Sequence, residues 1–420
     1  MHKCTYSTMN FRMSGIGCIS DVDMAVDGLT VILGENGAGK STILKGLYSV
    51  AEAPVDFQKK KEDEATETLL GLCKYLVFKS DCSVETASEI KKILTDLDET
   101  VRPGDILQTL KTALENDTET YTVVSEKVAF AEKVLNGESD SEFLTQLIKR
   151  NLGSEFAEIS QIHSHGSYTN GKIELISDLW YCSVRIDQND KISWDGNPNA
   201  VFSTAVYYDT PFILDHLFSD DPSQLIDCKH RTDLCRAISS CHTNIVDELI
   251  SAGSAERFRT LLKTIINSGF IRKQNRIQYI DRNGKHLDTL NLAAGFKTFA
   301  ILKLLAENGK LTKNSLILLD EPEAYLHPEW QNTLAELIIL LVKDVGAKVV
   351  MTTHSPQMLL AIQAYSAEHK QSVDYYALED IENGKSSFTD LHGDLSSEYR
   401  KMADAYDAMY ELYNRSTDTA

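Results

Sequence analysis

The stretch LGENGAGKSTI at residues 33–43 constrains this chain more than any other. The apolar run leading into it reads as a buried strand, and the residues after Lys40 have helical spacing. Between them, Gly34-x4-Gly39-Lys40-Ser41 completes the G-x4-GK-[ST] pattern of a phosphate loop. Glycines let such a loop wrap an anion with its N–H groups pointing inward, and the helix N-terminus adds a favourable dipole. Gly34, Glu35, Asn36, Gly37, Ala38, Gly39, Lys40, Ser41 and Thr42 are therefore expected around phosphates. Lys40 would reach the β- and γ-phosphates, and Ser41 would ligate Mg²⁺.

Two further strand ends carry chemistry. LILLDEPEAYLHPEW delivers Asp320 and Glu321 at the end of an apolar run, where paired acids are costly without partners or work to do. Asp320 suits control of Mg²⁺, and Glu321 suits orienting or deprotonating an attacking water. VVMTTHSP delivers His354 in the same way, within reach of a γ-phosphate. Gln161, in FAEISQIH, stands where an amide would contact Mg²⁺ or the water; position alone supports it.

Strands alternating with helices around a phosphate loop predict a three-layer, mainly parallel α/β core. The strands of residues 3–32 and 170–210 predict a separate antiparallel lobe. Residues 51–154 turn rich in Glu, Lys, Thr and Leu and predict a helical insertion. The expected head is 1–50 plus 155–395, containing a second helical region at 212–267, with a C-terminal helix at 396–420.

Composition narrows the partners. Net charge is −20, which argues against a broad nucleic-acid-binding face on one subunit but leaves room for contact through an assembly. No apolar run reaches membrane-span length and the N-terminus lacks a signal-peptide layout, so a cytoplasmic protein without a membrane is expected. Eight cysteines are scattered. CKHRTDLCRAISSCH gathers Cys228, His230, Cys235, Cys241 and His242, but without a zinc knuckle's C-x2–4-C spacing its periodicity favours a helix with buried thiols.

With LNLAAGFKTFAIL just ahead of the acidic strand, these motifs resemble the ABC-type ATPase superfamily, in the branch of SMC, RecF and OLD-family ATPases. DEPEAYLHPEWQ followed by TTHSP is most like the ATPases of bacterial anti-phage systems, such as Septu and retron-associated subunits. The resemblance implies ATP with Mg²⁺, held between two subunits in a head-to-tail dimer or a higher assembly. It makes Gly34 to Thr42 the Walker A loop, Gln161 the Q-loop glutamine, Asp320 and Glu321 the Walker B pair, and His354 the switch histidine. His327 falls in the D-loop region, and Arg12 loosely matches an arginine near the phosphates. The signature loop aligns with Leu292-Ala293-Ala294-Gly295-Phe296-Lys297, so Ala293, Gly295 and Lys297 face the partner's nucleotide. Its usual serine is absent, which predicts slow hydrolysis more than lost binding.

Three functions are open to such a chain. A transport motor ranks last, because the helical insertion is foreign to transporters. A RecF- or SMC-like DNA-repair ATPase is the runner-up; the insertion lacks sustained heptads and the surface is acidic. The preferred expectation is an ATPase switch governing a separate effector, a nuclease encoded nearby. The 66 residues after His354 (420 minus 354) are too few for the nuclease domain that OLD proteins append there.

Overall fold

The computed structural model describes residues 9–79, 84–95, 102–114, 118–137, 140–159, 162, 169–216, 228–239, 255–273, 276–381, 385–401, 403, 404, 407 and 409. Strands β1 (Asn10–Ile16), β2 (Ile19–Ala25) and β3 (Leu29–Gly34) lead into helix α1 (Lys40–Glu52). Helices α2 (Phe57–Lys79), α3 (Val84–Thr95), α4 (Pro103–Leu114), α5 (Thr118–Asn136) and α6 (Asp140–Glu155) follow. Next come β4 (Gly171–Ile176), β5 (Tyr181–Ile186), β6 (Ile192–Gly196) and β7 (Thr204–Tyr208), then α7 (Lys229–Ser239) and α8 (Glu256–Ile265). The hairpin region holds β8 (Phe270–Lys273), β9 (Arg276–Ile280) and β10 (His286–Asp288). The chain continues through α9 (Ala294–Glu307), β11 (Ser315–Asp320), α10 (Pro328–Leu340), β12 (Lys348–Thr353), α11 (Pro356–His369), β13 (Val373–Ile381) and β14 (Lys385–Asp390).

The chain divides into two compact units. One comprises Met1–Glu52, Ile148–Asn197 and Val201–Ala420; the other comprises Ala53–Leu147 with Pro198–Ala200. In the smaller unit, Leu69, Leu72 and Leu76 recur at helical spacing along α2 and share a core with Ile106, Leu110, Val124 and Val128. Lys61 is buried there and is paired at 2.7 Å with Asp140.

In the larger unit, eleven strands of the described residues form one sheet in the order β6-β5-β4-β1-β2-β14-β13-β3-β12-β11-β7. The run β13-β3-β12-β11-β7 is wholly parallel. Its strands read LTVILG, SLILLD and KVVMTT because both faces are covered, so no polar alternation is needed. Leu29, Val31, Ile317, Leu319, Val349 and Met351 share one face with residues of α9, α10 and α11. Alternate residues turn to the other face, where α1 packs. Thr352 is opposite Asp320, and Thr353 is opposite Leu33, so β3, β11 and β12 end together at one edge.

Two expectations about the strands need correction. The antiparallel strands β1, β2, β4, β5 and β6 are not a separate sheet, because β14 pairs with β13 and reaches β2 through Ser386 opposite Ile19. The strand of residues 204–208 does not belong with them either. TAVYY is buried along four of its five positions, and it lies parallel to β11 as the last strand of the core.

Candidate functional site

The loop after β3 is built as a cradle. Gly34 has φ +152° and Gly39 φ +103°. A Cβ on Gly34 would lie 2.2 Å from the Leu378 carbonyl oxygen, and one on Gly39 would lie 2.6 Å from Cys18 Sγ. Only glycine fits either position. The Ala38 carbonyl is held from outside the loop by Ser386 Oγ at 2.5 Å and Cys18 Sγ at 3.4 Å. Glu35, Asn36, Gly37 and Ser41 are exposed, while Thr42 is half-buried. Helix α1 has no acid in its first turn, which leaves its positive end free for an anion.

Lys40 is buried, and its ammonium donates to the carbonyls of Gly34 at 2.8 Å and Glu35 at 3.0 Å. It also stands 3.4 Å from Glu321 Oε1. The same carboxylate oxygen lies 3.1 Å from His354 Nδ1. Three residues predicted from three separate motifs thus meet at the ends of β3, β11 and β12. Glu321 has a left-handed φ of +45°, a strained conformation for a non-glycine residue, which fits a side chain held for use.

Asp320 is fixed by hydroxyls from both flanking strands. Thr352 Oγ1 donates to its Oδ1 at 2.6 Å, and Tyr207 Oη donates to its Oδ2 at 3.0 Å. Thr352 Oγ1 also accepts the Glu321 N–H at 3.0 Å, so one threonine orients both acids. Burial, with the charges of Asp320 and Asp209 behind it, holds the Tyr207 hydroxyl well above its ordinary pKa, so it remains a donor. Thr353, the neighbour of His354, donates to the buried carboxyl of Glu323. Burial raises the Glu323 pKa against that hydrogen bond.

Among the other predicted site residues, Gln161 lies outside the described residues. Arg12 is half-exposed and paired at 3.0 Å with Asp23 across the β1–β2 ladder. Among the described residues it makes no ion pair with the phosphate loop. Lys297 is buried, and its ammonium is taken by Asp215 at 2.6 and 2.8 Å and lies over the Phe212 ring. Ala293 is the N-cap of α9 and offers no side-chain cap. A Cβ on Gly295 would lie 3.0 Å from the Tyr325 carbonyl, so the loop packs against the residues before His327, itself the N-cap of α10.

His230 and Cys235 of the cysteine-rich stretch lie on α7 and point elsewhere than to a metal. His230 Nδ1 is 2.6 Å from Glu155 Oε2, and Cys235 Sγ is buried against the Ile213 carbonyl. Cys241 and His242 lie outside the described residues. Tyr207, Thr352 and Glu323 escaped the sequence reading. No local pattern marks them: Tyr207 lies inside TAVYY, Thr352 is the penultimate residue of KVVMTT, and Glu323 follows the end of β11 by three residues.

The donors suit magnesium nucleotide: hydroxyl and carboxylate oxygens are the hard ligands Mg²⁺ takes, usually with water between. A glycine cradle at the end of β3, a buried lysine and an acid pair at the end of β11 define the nucleotide site of a P-loop ATPase. The AAA ATPase domain model (AAA_15) matches residues 9–359. The chain belongs to that family.

Curated relatives share parts of it. The Old nuclease of Escherichia phage P2 is 41% identical over 73 residues, 16% of this chain and 12% of its own length. The retron Ec83 probable ATPase of Escherichia coli is 32% identical over 97 residues, 20% of this chain and 17% of its own. Endonuclease GajA of Bacillus cereus is 21% identical over 406 residues, 87% of this chain and 57% of its own. The chain therefore spans little more than half the length of GajA and far less of the other two. A solved SMC head domain from Thermotoga maritima aligns over 91% of this chain and 98% of its own, with 11% identity and a TM-score of 0.38. No helix of the described residues is long and apolar enough to cross a membrane.

Proposed function

We propose that this chain is an ATP-binding, slowly hydrolysing switch subunit that works as a head-to-tail dimer or higher assembly in the cytoplasm. Its nucleotide state governs a separate effector, a nuclease encoded nearby, in bacterial anti-phage defence. The observation that carries the ATPase reading is the meeting of Lys40, Glu321 and His354 at one sheet edge. ATP would take Lys40 with its β- and γ-phosphates, and Ser41 and Asp320 would hold Mg²⁺, Asp320 through water. Bound Mg²⁺ would neutralise charge developing on the phosphates. Glu321 would orient the attacking water, and His354 would hold Glu321 on its far side.

The defence setting is supported by the DEPEAYLHPEWQ and TTHSP motifs and by a retron ATPase and a phage nuclease among the relatives. The slow rate is supported by the signature loop, where Ala293 replaces a hydroxyl donor and Lys297 is engaged by Asp215. In this reading the helical regions 51–150 and 212–267 dock the effector, because the ATP chemistry does not use them. ATP-driven closure is then the bistable element that the effector senses. The test is purification of the chain alone and with its genomic neighbour. The chain alone should leave plasmid DNA and cellular RNA intact with Mg²⁺ or Mn²⁺; expressed with its genomic neighbour, it should co-purify a nuclease. Robust cleavage by the chain alone, lost on mutating residues outside the ATP site, would overturn the switch reading.

A further inference from the structure

Among the described residues, Asp320 makes no ion pair within 4.0 Å. Its two oxygens are instead each met by a neutral hydroxyl, from Thr352 on one flanking strand and Tyr207 on the other. Such an arrangement turns a carboxylate without quenching it, which is what a group acting on a metal's water shell needs. The two donors differ in how they are anchored. Thr352 sits directly opposite Asp320 in the ladder, so its hydroxyl arrives by strand register alone. Tyr207 is opposite Leu318, two residues back, and reaches Asp320 only along the full length of its ring. Whatever fixes that ring therefore fixes the hydroxyl.

The ring is fixed from α7. His230 stacks on it with centroids 4.3 Å apart and planes 27° apart. Tyr48 from α1 closes another side, 6.0 Å from Tyr207 and edge-on to His230 at 6.1 Å. His230 is itself held through its N–H by Glu155 Oε1 at 3.0 Å and through Nδ1 by Glu155 Oε2 at 2.6 Å. Its Nε2 lies 3.2 Å from Asp209 Oδ2, an ionic contact outside hydrogen-bond geometry. Asp209 in turn receives the Arg231 guanidinium through Nε and a second nitrogen. The end of α6, the start of α7 and the end of β7 are thereby locked around one aromatic ring.

We propose that Tyr207 is a positioning residue for the magnesium-controlling carboxylate Asp320, and that His230 couples it to α7. This rests on the assignment of Asp320 made under the proposed function. A shift of α7 would turn the Tyr207 hydroxyl off Asp320 and change how the site uses magnesium, without any contact to nucleotide.

The test is equilibrium binding of a fluorescent ATP analogue to the full chain, titrated with Mg²⁺ and repeated in EDTA. Tyr207→Phe keeps the ring and its stack and removes only the hydroxyl. It should weaken the magnesium-dependent part of binding roughly tenfold or more, the usual cost of losing such a supporting contact. Binding in EDTA should not change. His230→Gln should give a smaller shift, and should add nothing in the Tyr207→Phe background, because both act through one hydroxyl. A normal magnesium dependence in Tyr207→Phe, with the dependence lost in Asp320→Ala, would overturn this inference and leave the Asp320 assignment standing. A normal dependence in Asp320→Ala would sink the assignment itself. Should Tyr207→Phe not fold, His230→Gln alone decides, since a purely structural role would shift its melting temperature and not its magnesium dependence.

Discussion

Glu321 Oε1 stands 3.4 Å from Lys40 Nζ, so the acid proposed to activate water is ion-paired with the lysine proposed to hold phosphate. Lys40 is deeply buried and spends its remaining donors on Gly34 and Glu35 carbonyls. Under the proposed function, incoming phosphates would compete for the lysine with these protein oxygens and would leave the carboxylate to His354, already 3.1 Å away.

The two residues should separate binding from turnover. Lys40→Ala is expected to abolish ATP binding, because the cradle loses its only buried cation at the loop among the described residues. Glu321→Gln keeps the backbone and size but cannot accept a proton, so it should bind ATP at least as well as wild type and cease to hydrolyse it. Calorimetric binding beside a phosphate-release assay checks both. Equal nucleotide affinity in wild type and Lys40→Ala would remove the assignment.

The His230 cluster predicts a pH-dependent stability. Burial alone would lower the His230 pKa, but its contacts with Asp209 and Glu155 outweigh burial and hold it above its ordinary value. Burial likewise opposes ionisation of Asp209, yet His230 and Arg231 bring its pKa down to about 2. A raised histidine contributes fully below its unfolded value and loses that contribution as pH rises through the folded one. Wild type should therefore exceed His230→Gln in stability most at pH of about 6 and below, with the gap narrowing at alkaline pH. Asp209 has the opposite sign, and its share persists until pH falls toward about 2. Denaturant unfolding of both proteins across pH measures the gap; a gap that widens with pH contradicts the charged histidine.

The parts of this site that were legible in sequence are local ones. Gly34, Gly39, Lys40 and Ser41 sit within a single turn, and Asp320, Glu321 and His354 each end an apolar run, so short windows suffice to read them. Tyr207 and Thr352 needed strand register across 113 and 32 residues of chain, which no window contains. The same limit misassigned residues 204–208, since TAVYY has the composition of a core strand but nothing local says which neighbour it pairs with. The continuity of the sheet through β14 was hidden for that reason too. Arg12 shows what a local motif match leaves out: its cross-strand partner, Asp23, lies on the neighbouring strand.

Gly34 should tolerate no side chain. Its missing Cβ faces the Leu378 carbonyl at 2.2 Å, where β3 pairs with β13 at the very start of the loop. Gly34→Ala must push these strands apart or bend the loop, at a cost of about 1–3 kcal/mol. Gly37→Ala meets no atom within 4 Å and is strained only through its φ of +88°. Thermal unfolding should rank Gly34→Ala well below Gly37→Ala, and both below wild type; an undisturbed Gly34→Ala would mean that the loop enters differently.

Ala293→Ser separates two effects that one hydroxyl would have. Ala293 is the N-cap of α9, with φ −61° and ψ 143°, and it leaves the first N–H groups of that helix uncapped by its side chain. Serine there should stabilise the isolated subunit by about 1 kcal/mol through capping alone, with or without nucleotide. If the loop also meets a partner's γ-phosphate, the hydroxyl adds a charge-assisted hydrogen bond of about 1.5–3 kcal/mol that exists only in an ATP-bound dimer. The substitution should therefore raise the melting temperature slightly in the absence of ATP. With ATP present, in a Glu321→Gln background that cannot hydrolyse it, dimerisation should tighten about tenfold or more, as read by analytical ultracentrifugation. A cap-like stabilisation with no ATP-dependent tightening would show that this loop does not face a second subunit's nucleotide, and the head-to-tail arrangement would fall with it.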